Sequence, residues 1–127
     1  MIQSTEQSEG VAFKVCGMCG KTWGSRDEFL ADPQIRCIGY QVHFEDLELG
    51  LFDFNHEACG TTVMIQAFRF TDLYDGPLYT KRLTGTDECP GYCLHRSEMR
   101  PCPAQCICAY IRSVLDAIAR WKKADHC

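Results

Sequence analysis

The chain contains no apolar run long enough to cross a bilayer, so it reads as a soluble protein. Its first ten residues are polar (Gln3, Ser4, Thr5, Glu6, Gln7, Ser8, Glu9) and lack the apolar stretch of a secretory signal, which predicts a cytoplasmic location. Positive charge is not in excess: 13 Lys and Arg stand against 17 Asp and Glu, a formal net charge of -4. The basic residues Lys81, Arg82, Arg112, Arg120, Lys122 and Lys123 are scattered, so a nucleic-acid partner is disfavoured. There is neither a low-complexity tract nor a fixed-period repeat, which argues against a solenoid. No Ser-His-Asp or Cys-His arrangement can be assigned from spacing alone.

Cysteine is what the chain has in abundance: ten among 127 residues. That density implies disulfides, metal or redox chemistry rather than packing alone. In a reducing cytosol, clustered cysteines serve more often as metal ligands or catalytic thiols than as structural disulfides. An apolar content of 46% at this length suits one compact domain that gains from an added staple. The expected organisation is a disordered tail over 1–10 and a single metal-stabilised domain over 11–127. That domain divides into a β unit (11–85) and a cysteine-rich segment with a helix (86–127).

Ser25 and Glu28 fit a capping box, predicting a short helix through Leu30 before Pro33. From Ile35 to Asn55 the pattern has period two. Val42 and Phe44 alternate with Gln41, His43 and Glu45, and Phe52 and Phe54 with Asp53 and Asn55, which predicts a hairpin turning within Glu45 to Gly50. Glu45, Asp46, Glu48 and Asp53 then belong to a solvated hairpin face rather than a paired-carboxylate site. Thr61 to Phe70 is β-branched and aromatic and reads as a further strand, and Leu78 to Thr84 as an edge strand. Ile107, Ile111, Val114, Leu115, Ile118 and Trp121 follow helical spacing, giving an amphipathic helix over roughly Pro103 to Ala124. The fold class is α+β.

The strongest motif is written twice: Cys16-Gly17-Met18-Cys19-Gly20 and His56-Glu57-Ala58-Cys59-Gly60. Each is a ligand, two residues, a cysteine and a glycine. A Cys-x-x-Cys turn aims both ligands at one ion while backbone amides donate to the sulfurs, and the glycine tolerates the positive φ of the tight turn. Two such turns supply a tetrahedral set for zinc, where one histidine among three cysteines is ordinary. The competing readings are buried thiols with a loop histidine, and a thioredoxin-like redox pair. The redox pair needs its first cysteine at a helix N-terminus, and Gly20 to Gly24 does not read as a helix. The pattern resembles the zinc-ribbon class, in which two knuckles at the ends of β-hairpins clamp one zinc. The resemblance covers about Val15 to Phe70, and it implies a metal with a structural role.

Five more cysteines fall between Cys89 and Cys108. If a helix begins at Pro103, Cys102 sits at its cap and Cys106 one turn later on the same side, so Cys89, Cys93, Cys102 and Cys106 form a second candidate site. Zinc, an iron-sulfur cluster and a pair of disulfides all remain open for it. On that helix Cys108 points to the far side, as core or a spare thiol, and His95 is a further possible ligand. Cys37 has no assigned role, and Cys127 ends a polar tail.

His43-Phe44-Glu45 with Cys102 and Cys106 is similar to the zinc deaminase pattern, but the second half is one residue too long and His43 does not open a helix. The resulting expectation is a zinc-binding module that presents a protein-interaction or regulatory surface. The alternatives are an iron-sulfur or thiol-based redox or metal sensor and a deaminase-type zinc hydrolase.

Overall fold

The structure, a computed structural model, describes residues 12–124. The tail expected over 1–10 and the terminal Cys127 lie outside the described residues. Near the N-terminus β1 (Lys14–Val15) pairs antiparallel with β2 (Thr22–Trp23), in the register Lys14 to Trp23 and Val15 to Thr22. Ser25 then caps α1 (Arg26–Ala31), accepting the Glu28 N–H at 3.1 Å, while Asp27 and Glu28 complement the positive end of the helix. This helix buries Phe29 and Leu30. Asp32 ends it and holds its neighbours: one carboxylate oxygen accepts from Trp23 Nε1 and the other from the Gln34 N–H, each at 2.8 Å.

A three-stranded antiparallel meander follows, with β3 (Ile35–Gln41), β4 (Leu51–His56) and β5 (Thr61–Gln66) in that order. Its inner face carries Ile35, Tyr40, Phe52, Phe54, Val63 and Ile65, all buried. Phe54 meets Phe29 edge-on at 4.9 Å, which locks α1 onto the sheet. Burying each such side chain stabilises the fold by roughly 1.5–3 kcal/mol.

The alternation expected to run on through Val42 and Phe44 stops at Gln41. His43 Nδ1 and Asp46 form a turn there, Asp46 capping a 3-10 turn over Leu47–Leu49. Asp53, expected on a solvated face, is 1% exposed, because Arg96 from the cysteine-rich segment lies over it with Nε 2.7 Å from its carboxylate. A register shift between Cys37 and Gly39 makes room for this contact: Tyr40 N–H donates to the Arg96 carbonyl at 2.9 Å, where any Cβ on Gly39 would collide.

Three further expectations shift. The strand predicted to reach Phe70 ends at Gln66, and Ala67–Leu73 is a 3-10 run that turns Phe70 into the core against Phe52 and Phe54. Leu78 to Thr84 forms no strand. Lys81 carbonyl accepts one backbone bond, from Ile107, but the Leu83 N–H donates to the Cys106 sulfur instead of a carbonyl, so no ladder forms.

The C-terminal helix, α2 (Ala109–Ala119), starts six residues later than Pro103 because the preceding turn is held by residues 81–83 rather than by helical bonds. Its apolar stripe of Ile111, Val114, Leu115 and Ile118 packs on β3 and the 67–73 run. Beyond it Lys123 Nζ and the Ala124 N–H donate to the Leu30 and Ala31 carbonyls at the end of α1, at 2.6 and 2.7 Å. The architecture is α+β, with small antiparallel sheets, a cysteine-rich segment and a C-terminal helix.

Candidate metal centre

The duplicated motif becomes a duplicated turn. Cys16 leaves β1, its N–H donating to the Lys21 carbonyl at 2.8 Å, and the Gly20 N–H closes back on the Cys16 carbonyl at 3.0 Å. His56 ends β4, and the Gly60 N–H closes on the His56 carbonyl at 2.7 Å. Gly20 and Gly60 sit at φ of 80° and 75°, the left-handed region that the tight turn demands and a side chain resists. Backbone amides also reach the sulfurs: Cys19 and Met18 donate to Cys16, and Thr61 to Cys59.

The two turns face each other and bring four ligand atoms within 4.8 Å of one another: the sulfurs of Cys16, Cys19 and Cys59 and one ring nitrogen of His56. Cys16 and Cys59 sulfurs are 3.6 Å apart, and His56 Nδ1 lies 3.2 Å from Cys59 and 3.8 Å from Cys19. Bond lengths of ~2.3 Å for sulfur and ~2.0 Å for nitrogen around a tetrahedral zinc imply separations of about 3.8 Å between sulfurs and about 3.5 Å from sulfur to nitrogen. The observed distances fit that set.

Trp23 meets the His56 ring edge-on at 5.1 Å and fixes its plane, and Asp32 in turn holds Trp23. Cys16 and His56 are buried, Cys59 half-buried and Cys19 exposed. The N–H groups of Cys19 and Met18 draw the Cys16 thiol down to about 6 against the effect of burial. The Cys59 thiol, despite the Thr61 N–H, is pushed up by burial and by the neighbouring Cys16 and Cys19. A depressed thiol beside a raised one is what several sulfurs sharing one small volume produce, and a cation relieves it.

The second group of cysteines is not arranged on a helix as expected. Cys93 lies in a 3-10 turn (Tyr92–Leu94) and Cys108 is the residue at the N-cap of α2, so Cys102 and Cys106 precede the helix instead of sharing a face of it. Cys108 does not point away. Its sulfur is 3.2 Å from that of Cys93 and 3.4 Å from that of Cys106. All three are buried, whereas Cys89 and Cys102 are half-buried, with sulfurs that take the N–H of Gly91 and Ala104 two residues on. The hydrogen bond between Cys93 and Cys108, with the charge of Arg112, holds the Cys93 thiol below its usual range despite burial. The same bond and burial push Cys108 up. His95 is exposed, and Cys37 stands apart in β3, its thiol pushed up to about 12 by burial.

Arg112 is the residue that sequence reasoning missed, having counted it among the scattered basic residues. It is wholly buried one turn into α2, its guanidinium donating to the carbonyls of Glu98 and Arg100 at 2.7–3.2 Å. Among the described residues no carboxylate pairs with it, and its Nη1 has no hydrogen-bond partner. An arginine on the apolar stripe of a helix, between Ile111 and Val114, was the available signal.

The other chemistries find less support in the geometry. Cys16 follows a strand, and residues 20–24 run through β2, so no helix N-terminus activates the Cys16–Cys19 pair. His43 is engaged in the turn at Asp46. Among the described residues no helix is long and apolar enough to cross a membrane. No protein-family model, curated protein or solved structure matches the chain.

Proposed function

We propose that this chain is a zinc protein in which Cys16, Cys19, His56 and Cys59 hold one structural Zn²⁺ between two zinc-ribbon-like knuckles, and that the clamped hairpins form a surface for another protein in the cytoplasm. The observation that carries the reading is the convergence of three sulfurs and one imidazole nitrogen within 4.8 Å from two turns of the same design. Four protein ligands leave no open position for a water or substrate, which favours a structural metal over a hydrolytic one. The β1–β2 and β4–β5 pairs come from distant parts of the chain, and a shared ion ties them together.

A protein partner is supported by the ground beside the first knuckle. Val15, Met18 and Met64 are 45–68% exposed and flank a shallow groove with Lys14, Thr61 and Thr62. Flexible Met side chains in an exposed apolar groove suit a peptide or protein surface. The net charge of -4 weighs against nucleic acid.

The test is metal analysis of the full chain purified under reducing conditions, with thermal melts before and after chelation. Zinc should co-purify, and Cys59→Ala should lose one equivalent together with much of the melting temperature. Full zinc content and an unchanged melt in Cys59→Ala would sink the reading.

A further inference from the structure

We infer that the cysteine-rich segment builds a second, independent metal centre, a mononuclear tetrathiolate site for a thiophilic dication such as Zn²⁺, whose ligands are Cys93, Cys106 and Cys108 with Cys102 as the fourth. Cys108 lies between two other buried sulfurs, 3.2 Å from Cys93 and 3.4 Å from Cys106. Sulfurs around one tetrahedral zinc sit about 3.8 Å apart, and the three do not all lie within 4.8 Å of one another, so Cys93 and Cys106 must draw in on a common ion beside Cys108. The Leu83 N–H donates to Cys106 at 3.2 Å, the kind of amide-to-sulfur bond that also surrounds the first site and that orients thiolate ligands.

Arg112 is the independent observation. The Arg112 guanidinium is wholly buried with no paired carboxylate, the Glu98 carboxylate acting on it only at a distance, and its Nη1 is unpartnered among the described residues, which is costly without a further anion. A dication held by four thiolates remains net negative, and that charge answers Arg112, which follows Cys108 by one helical turn and hydrogen-bonds back to its carbonyl. Metal binding then releases the thiol protons to solvent, with no change of oxidation state. Of the two remaining cysteines, Cys102 lies four residues before Cys106 and within electrostatic reach of Cys93, Cys106 and Cys108, and Cys89 lies next to it.

The centre also explains how residues 75–108 are ordered. Apart from the 3-10 turn at Tyr92–Leu94 and isolated turns they carry no regular structure, and Cys93, Cys106 and the N-cap of α2 are their deepest points. The inference does not depend on the zinc at Cys16, Cys19, His56 and Cys59, and the two can fail separately.

Native mass spectrometry of the full chain, prepared anaerobically and reduced and then loaded with Zn²⁺ or Co²⁺, should show two metals. The Co²⁺ absorption should be the sum of two spectra, one of an all-thiolate site and one of a mixed site with three thiolates and an imidazole. Cys108→Ser should keep one metal with the mixed-ligand spectrum, and Cys59→Ala one metal with the all-thiolate spectrum. Cys102→Ser should lose the second metal while Cys89→Ser keeps it. Arg112→Gln should weaken the second metal roughly tenfold, the scale of losses around a ligand shell. A single metal in the wild type with the mixed-ligand spectrum, a Cys93–Cys108 disulfide in reduced protein, or a brown iron-loaded preparation would overturn the site. Two metals retained in Cys108→Ser would do the same, and loss of the second metal in Cys89→Ser but not in Cys102→Ser would overturn the choice of fourth ligand. The wild-type count stands even if a variant fails to fold.

Discussion

The two sulfur-rich regions gather their cysteines by opposite routes. At Cys16, Cys19, His56 and Cys59 the ligands sit where antiparallel pairs turn, and hydrogen-bonded strands aim them before any ion arrives. At Cys93, Cys106 and Cys108 the sulfurs are carried by a segment with no strand among its described residues, tied to the rest through Arg96, which meets Tyr40 and Asp53, and through the Glu98 and Arg100 carbonyls, which Arg112 holds. In the first region the ladder organises the sulfurs. In the second the sulfurs organise the chain, so its order leans harder on whatever joins them.

Metal removal should separate the two most sharply. Structural zinc binding is worth about 10–16 kcal/mol in small peptides, comparable with the whole stability of a domain. Stripping all metal from reduced protein should therefore abolish amide protection across 83–108 while β3 to β5 keep part of theirs, as read by hydrogen exchange. Loss of protection in the meander first would reverse the comparison.

Phe54→Ala attacks the organised region from within. Phe54 is fully buried between Phe29 and Phe70, so truncation should cost about 3–5 kcal/mol in denaturant unfolding. A loss below about 1 kcal/mol would mean the metal, and not the aromatic core, carries this half. Gly39→Ala tests the seam between the regions. Its Cβ would meet the Arg96 carbonyl, so about 1–3 kcal/mol should be lost, with faster exchange at Tyr40 and no change in metal at the knuckles.

Ser25→Ala should be milder, about 1 kcal/mol, because it removes one cap from one short helix. The smallest effect belongs to Cys37. With its thiol pushed up to about 12 by burial, it stays protonated at ordinary pH, so it should resist alkylation in the native protein at pH 8. Cys37→Ala should leave the metal count unchanged, and rapid labelling of Cys37 would show that β3 opens.

Much of the first site was legible because its signals are local. Two residues between ligands set a turn, and a glycine at the next position set its handedness, so Gly20 and Gly60 could be read without knowing what faced them. The Ser25 cap was legible for the same reason. The start of α2, the missing strand at Leu78 to Thr84 and the role of Cys108 were not, because each depends on a bond between distant residues. A helix over Pro103 to Cys108 satisfies the periodicity, but the Ile107 N–H is held by Lys81 and the Cys106 sulfur by Leu83. Asp53 reads as a surface residue until Arg96, 43 positions away, covers it.

The bonds from Lys123 and Ala124 to the end of α1 span 93 residues, and they reach a helix whose own last turn carries no basic residue. The far end of the chain thus acts as a detached cap, a buckle that closes the molecule into a ring. Trimming a few residues after α2 would be felt first at the opposite end of the sequence, where α1 shields Trp23 and, through it, the ring of His56.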